Sequence, residues 1–261
     1  MTTDAASTVQ KARKPRGRLF VLWTAAVLLV VVLAFLVWAS QPFAARAAPL
    51  DAVKNDPAIS VVETADAVVL TPRESAISAT NAVAPRGLVF IAGARVEPAA
   101  YASQLAGLAD AGVTVVIVRP ILNFAILDWR PLSTFTDLAP SVQRWSVGGH
   151  SLGGVRACQY ASDPQVDSLI LFGSYCSADL SASDLPVLSL GGSRDGLSTP
   201  AKIADSAHLL PSTALFWQID GANHASFGNY GAQPGDNTAT ISRADARKQI
   251  TVDVLKFLAA S

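Results

Sequence analysis

Chemistry-bearing side chains are scarce in this sequence of 261 residues, which has three histidines, two cysteines and one methionine. Charged residues make up only 15% of it, and twenty basic side chains are matched by twenty acidic ones. Two cysteines allow at most one internal disulfide and leave no obligatory free thiol. Cys158 and Cys176 could pair in an oxidising compartment or remain two small buried hydrophobes, and spacing does not choose between these. Internal repeats and long low-complexity tracts are also missing. One sizeable core, and hence one main domain, is what this length supports.

The charge balance conceals an asymmetry. Lys11, Arg13, Lys14, Arg16 and Arg18 face a single acid, Asp4, within residues 1–18, so the remaining chain carries about −4 by difference. A mildly acidic body excludes nucleic acid as an expected partner, because phosphate recognition needs clustered basic charge. Directly after this basic tail, residues 19–38 read LFVLWTAAVLLVVVLAFLVW, without charge or proline. About twenty such residues span a bilayer's hydrocarbon core. Trp23 and Trp38 lie toward the two ends, where indole rings favour the membrane interface.

The stretch is longer than a cleavable signal's apolar region, although Ala45-Arg46-Ala47 has the form of a cleavage site. The expectation is an uncleaved signal anchor. The basic tail then stays in the cytoplasm and everything after the helix lies outside the cell membrane. Residues 39–57 read as an Ala- and Pro-rich juxtamembrane linker with a short helix around Pro49–Lys54, and residues 58–261 as the main domain.

Within that domain short apolar runs alternate with helical patterns. Strands are expected at Ser60–Thr64, Ala67–Thr71, Gly87–Ala92, Val113–Val118, Arg144–Gly148, Asp167–Phe172, Pro186–Leu190 and Ala214–Ile219. Helices are expected over Pro98–Ala111, after Ser151, over Pro200–Leu209 and from Ser242 to Ala260. Runs that are apolar throughout indicate a sheet covered on both faces, and strand–helix alternation makes it a mostly parallel, doubly wound α/β sheet.

The sharpest local feature is Gly149-His150-Ser151-Leu152-Gly153. It stands between an expected strand and an expected helix, the context in which G-x-S-x-G forms a nucleophile elbow. A serine hydroxyl needs a base. His150 lies inside the elbow and is expected to point away from the base position, and His208 lies near a helix end. His224, in a loop after the last strand, is therefore the candidate base.

The acid should lie between Ser151 and His224 in the chain. Asp195, in the turn-rich GGSRDG loop, is preferred, with Asp179 as runner-up. Asp163 and Asp167 precede a strand, at the wrong edge of the sheet. An oxyanion hole would draw on the N–H of Leu152 and on that of Ala94 or Arg95, in the loop after GLVFIA.

With these motifs in view, the chain from about Leu88 onward resembles the α/β-hydrolase superfamily, in particular bacterial membrane-anchored proteins near the dienelactone-hydrolase-like branch. The segments GARVEPAAY, GGHSLGG, GSRDGLSTP and GANHASFGNYG carry the resemblance. It implies hydrolysis of an ester or related acyl bond of a small molecule, without metal or cofactor. A dienelactone hydrolase has cysteine as nucleophile where this chain has serine. About a dozen residues separate the sixth expected strand from the seventh, so little or no cap is expected. The alternatives are an acyltransferase on the same triad and a non-catalytic membrane-anchored binding protein. The second of these calls for a missing triad member, and none is missing.

Overall fold

A computed structural model describes residues 16–73 and 86–261; most of the basic tail lies outside the described residues. The chain divides into two units, one ending at Trp38 and the other running from Ala39 to Ser261. The described part of the first is a helix, α1 (Arg16–Ala39), whose last residue belongs to the second unit. Its window of highest hydropathy averages 3.0 and none of that window is buried, so the helix is long and apolar enough to cross a membrane.

Among its described residues, the second unit has eight strands: β1 (Ile59–Glu63), β2 (Ala67–Pro72), β3 (Arg86–Ile91), β4 (Thr114–Val118), β5 (Arg144–His150), β6 (Val166–Phe172), β7 (Val187–Gly192) and β8 (Leu215–Ile219). They form one sheet in the order β1-β2-β4-β3-β5-β6-β7-β8. β2 runs antiparallel to β1 and β4, and every later pairing is parallel.

Apolar runs without alternation formed these strands because both faces are covered. Leu88 and Phe90 of β3 enter one core, with Val115 and Ile117 of β4 and Ile170 and Phe172 of β6. Their neighbours Val89, Ile91, Val116, Val118, Leu169 and Leu171 enter the other. Helices α2 (Ala47–Lys54), α3 (Ala102–Asp110) and α7 (Arg243–Ala260) supply buried residues to the first core. The short α4 (Ser133–Thr136) and α5 (Leu152–Tyr160) supply the second, and α6 (Pro200–Asp205) lies against β7. The helix expected over Pro98–Ala111 opens with a tight turn, Pro98–Tyr101, before α3, as a proline at the start allows.

Residues 39–57, read from sequence as a linker, are seated on this body. Phe43 bridges to Val96 in parallel fashion, its N–H donates to the Arg95 carbonyl at 2.5 Å, and the Ala45 N–H donates to Glu97 Oε2 at 2.7 Å. The connection between β6 and β7, residues 173–186, contains no helix. Cys158 on α5 and Cys176 in that connection are joined by a disulfide, with their Cα atoms 5.6 Å apart.

Candidate active site

Parallel strands leave their carboxyl ends along one edge, where open α/β sheets present ligand-contacting groups. β5 delivers Ser151 there. Its backbone has φ 53° and ψ −124°, a conformation that a non-glycine residue holds only under constraint. The constraints are visible. The Ser151 N–H donates to the Phe172 carbonyl at 3.0 Å, and its own carbonyl accepts from Ser174 Oγ at 2.6 Å. Glycine is required beside it, since a Cβ on Gly149 would strike the Gly153 backbone and one on Gly153 would strike the Ile91 carbonyl. α5 begins at Leu152, so its unpaired first N–H groups and positive dipole end lie next to the Ser151 hydroxyl.

Asp195 and His224 come together from loops 29 residues apart. His224 Nδ1 lies 2.8 Å from Asp195 Oδ2, and both side chains are fully buried. The other carboxylate oxygen accepts the N–H groups of Leu197 (2.8 Å) and Ser198 (2.7 Å), so Asp195 is held on both sides. His224 Nε2 is buried with no hydrogen-bond partner among the described residues. Buried polar atoms are nearly always paired, and here two neighbouring ring nitrogens are not, His224 Nε2 and His150 Nε2. Ser151 makes no hydrogen bond to His224 Nε2.

His150 corrects one expectation. Its ring does not turn away from the base position but lies 4.3 Å, centroid to centroid, from the ring of His224. Its Nδ1 is 2.9 Å from the Tyr101 hydroxyl, which also accepts the Gly93 N–H at 3.0 Å. Complete burial holds the His150 imidazole well below its ordinary pKa, and the adjacent His224 acts in the same direction. Burial likewise lifts the Tyr101 phenol above its usual range, opposed by the Gly93 hydrogen bond, so Tyr101 stays a protonated phenol beside a neutral His150.

The remaining candidates separate clearly. Arg95, at φ 56°, gives its N–H to the Asn123 carbonyl at 2.8 Å, and its guanidinium reaches the Gln41 carbonyl at 2.7 Å. Ala94, one residue earlier, stands beside Gly93, and Gly93 abuts His150. Asp179 is exposed and bonded to Ser181, while His208 is exposed with Nδ1 2.8 Å from the Asp205 carbonyl. No group of three or more His, Cys, Asp or Glu placed to hold a metal ion occurs among the described residues.

Asp236 was not singled out from the sequence, because in Pro234-Gly235-Asp236-Asn237 it reads as a turn residue. Its Oδ1 accepts the N–H groups of Gly196 and His224, each at 3.1 Å, and its Oδ2 accepts that of Ala225 at 3.0 Å. One carboxylate thus ties the loop of Asp195 to the loop of His224.

This sheet order, the strained serine after β5 and the buried acid–histidine pair together define an α/β hydrolase. The family model described as "Alpha/beta hydrolase family" matches residues 87–248, and the chain belongs to that family. Comparison with curated protein sequences gives no match. Among solved structures, the chain is similar to a predicted CIB-like hydrolase from Thermoplasma acidophilum, at 14% identity and TM-score 0.51, over 76% of this chain and 96% of that one. It is similar to esterase 2 from Thermogutta terrifontis at 17% identity and TM-score 0.52, over 78% and 95%. Carboxylesterase CesB from Bacillus subtilis matches at 12% identity and TM-score 0.52, over 82% and 96%. At these identities the likeness is one of fold.

Proposed function

We propose that this protein is a serine hydrolase that cleaves an ester or related acyl bond through an acyl-enzyme, anchored to a membrane by α1 with its catalytic body outside the cytoplasm. The observation that carries the reading is the pairing of a strained Ser151 at the head of α5 with a buried Asp195–His224 pair whose outer nitrogen is unpartnered. Esterases among the similar structures support the reaction class.

In this mechanism the Asp195 carboxylate accepts from Nδ1–H of His224, leaving Nε2 as the basic nitrogen. Nε2 takes the Ser151 proton as Oγ attacks the carbonyl carbon, and the carbonyl oxygen becomes an oxyanion facing the N–H groups of Leu152 and Ala94. The Arg95 N–H is already committed to Asn123, which favours Ala94 as the second donor. Collapse expels the alcohol, which receives the proton from Nε2. Water, deprotonated by the same nitrogen, then releases the acid and restores Ser151. Asp236 acts as a positioning residue, because it holds the backbone of both loops.

The apolar length of α1 and the basic residues before it support the anchor and its orientation, and a disulfide on the body agrees with an oxidising location. Purified protein should hydrolyse at least one member of a panel of acyl esters from short to long chain, with lactones and amides included. Ser151→Ala should lose about a thousandfold or more of that rate while keeping the wild-type unfolding transition. Unchanged hydrolysis by Ser151→Ala would refute the reading.

A further inference from the structure

The chain between β4 and α4 runs along the sheet edge that carries Ser151, and its surface is unusual. From Ile121 to Trp129 it exposes Ile121, Leu122, Ile126, Leu127 and Trp129, with Trp129 84% exposed and Ile126 49%. Its one charged residue, Asp128, is buried. Contiguous exposed apolar side chains of this kind mark a contact surface rather than ordinary surface scatter.

The segment is firmly held. Arg130 binds Asp128 through Nε (2.8 Å) and Nη2 (2.5 Å), Asp66 through Nη1 (2.5 Å), and the Arg119 carbonyl through Nη2 (2.8 Å). Ala125 is buried in the core beside α5. Leu122 and Asn123 both hold positive φ, 53° and 58°, a strained pair in which Leu122 is presented outward, 44% exposed.

Its neighbour on the body says what covers it. Asn123 Nδ2 donates to the Ala39 carbonyl at 3.1 Å, and Ala39 is the residue that directly follows the apolar stretch ending at Trp38. The loop is therefore one hydrogen bond from the first residue of the body. If that stretch spans a bilayer, Ala39 emerges at the headgroup level, and Asn123 must lie there too. Tryptophan and aliphatic side chains without exposed charge suit that zone.

We infer that the loop Ile121–Trp129 is a lipid-contacting surface that seats the catalytic body on the bilayer holding α1. This rests on the proposed anchor. It brings the edge of the sheet bearing Ser151 to the lipid surface, so that acyl substrates residing in the membrane are the ones best placed to reach it.

The experiment uses the full chain in phosphatidylcholine–phosphatidylglycerol vesicles. The two native cysteines are bonded to each other, so a single introduced cysteine can carry a fluorescent label. Labels are placed through Ile126→Cys, Trp129→Cys, Gln165→Cys and Leu28→Cys, and quenched by lipids bearing a nitroxide at the headgroup or deep in the acyl chain. Gln165 is exposed just before β6, at the opposite edge of the sheet.

Headgroup nitroxide should quench positions 126 and 129 at least about three times as strongly as position 165. Deep nitroxide should quench position 28. Quenching at 28 with 126 and 129 no different from 165 overturns the lipid-contact inference while leaving the anchor intact, and assigns the patch to another partner. No quenching at position 28 overturns the anchor itself, and the inference with it.

Discussion

Two acid–base pairs in this molecule, each with a buried acid, are finished in opposite ways. Asp128 and Arg130 form a closed network, in which the guanidinium also binds Asp66 and the Arg119 carbonyl, and the Arg130 carbonyl accepts the Tyr160 hydroxyl at 2.6 Å. Burial opposes ionisation of Asp128, but the hydrogen bonds and charge of Arg130 outweigh it and hold its pKa below the usual carboxylate value. Asp195 and His224 form an open pair: the acid is fully satisfied, and the histidine keeps one buried nitrogen without a partner. A closed network stabilises a loop, whereas an open one keeps a proton acceptor in reserve. Completeness of hydrogen bonding therefore separates a structural pair from a candidate catalytic one, although both join an acid to a base at short distance.

Exchanging a member of each pair should give opposite phenotypes. The largest effect is expected for Asp195→Asn, which keeps the shape but reverses what His224 Nδ1 faces. Hydrolysis should fall by about a thousandfold or more, with little change in unfolding midpoint. A fall under about tenfold would move the acid role elsewhere.

Arg130→Met should do the reverse. It leaves Asp128 buried without its cation, which costs about 3 kcal/mol of stability in a denaturant titration. Turnover of a soluble short-chain ester should stay within about threefold of wild type. A stable but inactive Arg130→Met would erase the distinction drawn here.

The smallest effect concerns His150, which borders the open pair. Its native pKa is depressed by burial, so at mildly acid pH the unfolded chain binds a proton that the folded chain does not. Stability from this group is therefore intact above the unfolded imidazole value of about 6.5 and declines as pH falls below it. In paired titrations of unfolding midpoint against pH, the wild type should lose more between about pH 7 and pH 5 than His150→Gln. Parallel curves would show that His150 does not contribute.

Most of the frame was legible in the sequence, because a two-sided sheet writes itself as uninterrupted apolar runs such as VTVVIV and DSLILF. β5 was the partial exception. It extends to His150, past the glycines that looked like its end. Candidate base and acid were legible because chain order and the scarcity of histidine left few choices.

What was not legible depends on contacts between distant segments. Nothing local distinguishes Asp236 from any aspartate in a turn, yet it clamps two loops. Ala94 could be favoured over Arg95 only once the Arg95 N–H was seen to be taken by Asn123. Residues 39–57 looked like a connector because their composition is that of one. The pairing of Phe43 with Val96 is set by a partner 53 positions away. His150 was misplaced for a similar reason: its direction is fixed by Tyr101, on a different element.

The account stands on Ser151 being a nucleophile activated by His224, and covalent labelling tests that most directly. Full-length protein treated with a fluorophosphonate should gain the mass of one adduct, located by peptide mapping on the segment that carries Ser151. His224→Gln should slow the labelling by about a hundredfold or more. An unlabelled wild type, or an adduct that persists in Ser151→Ala, would contradict the account.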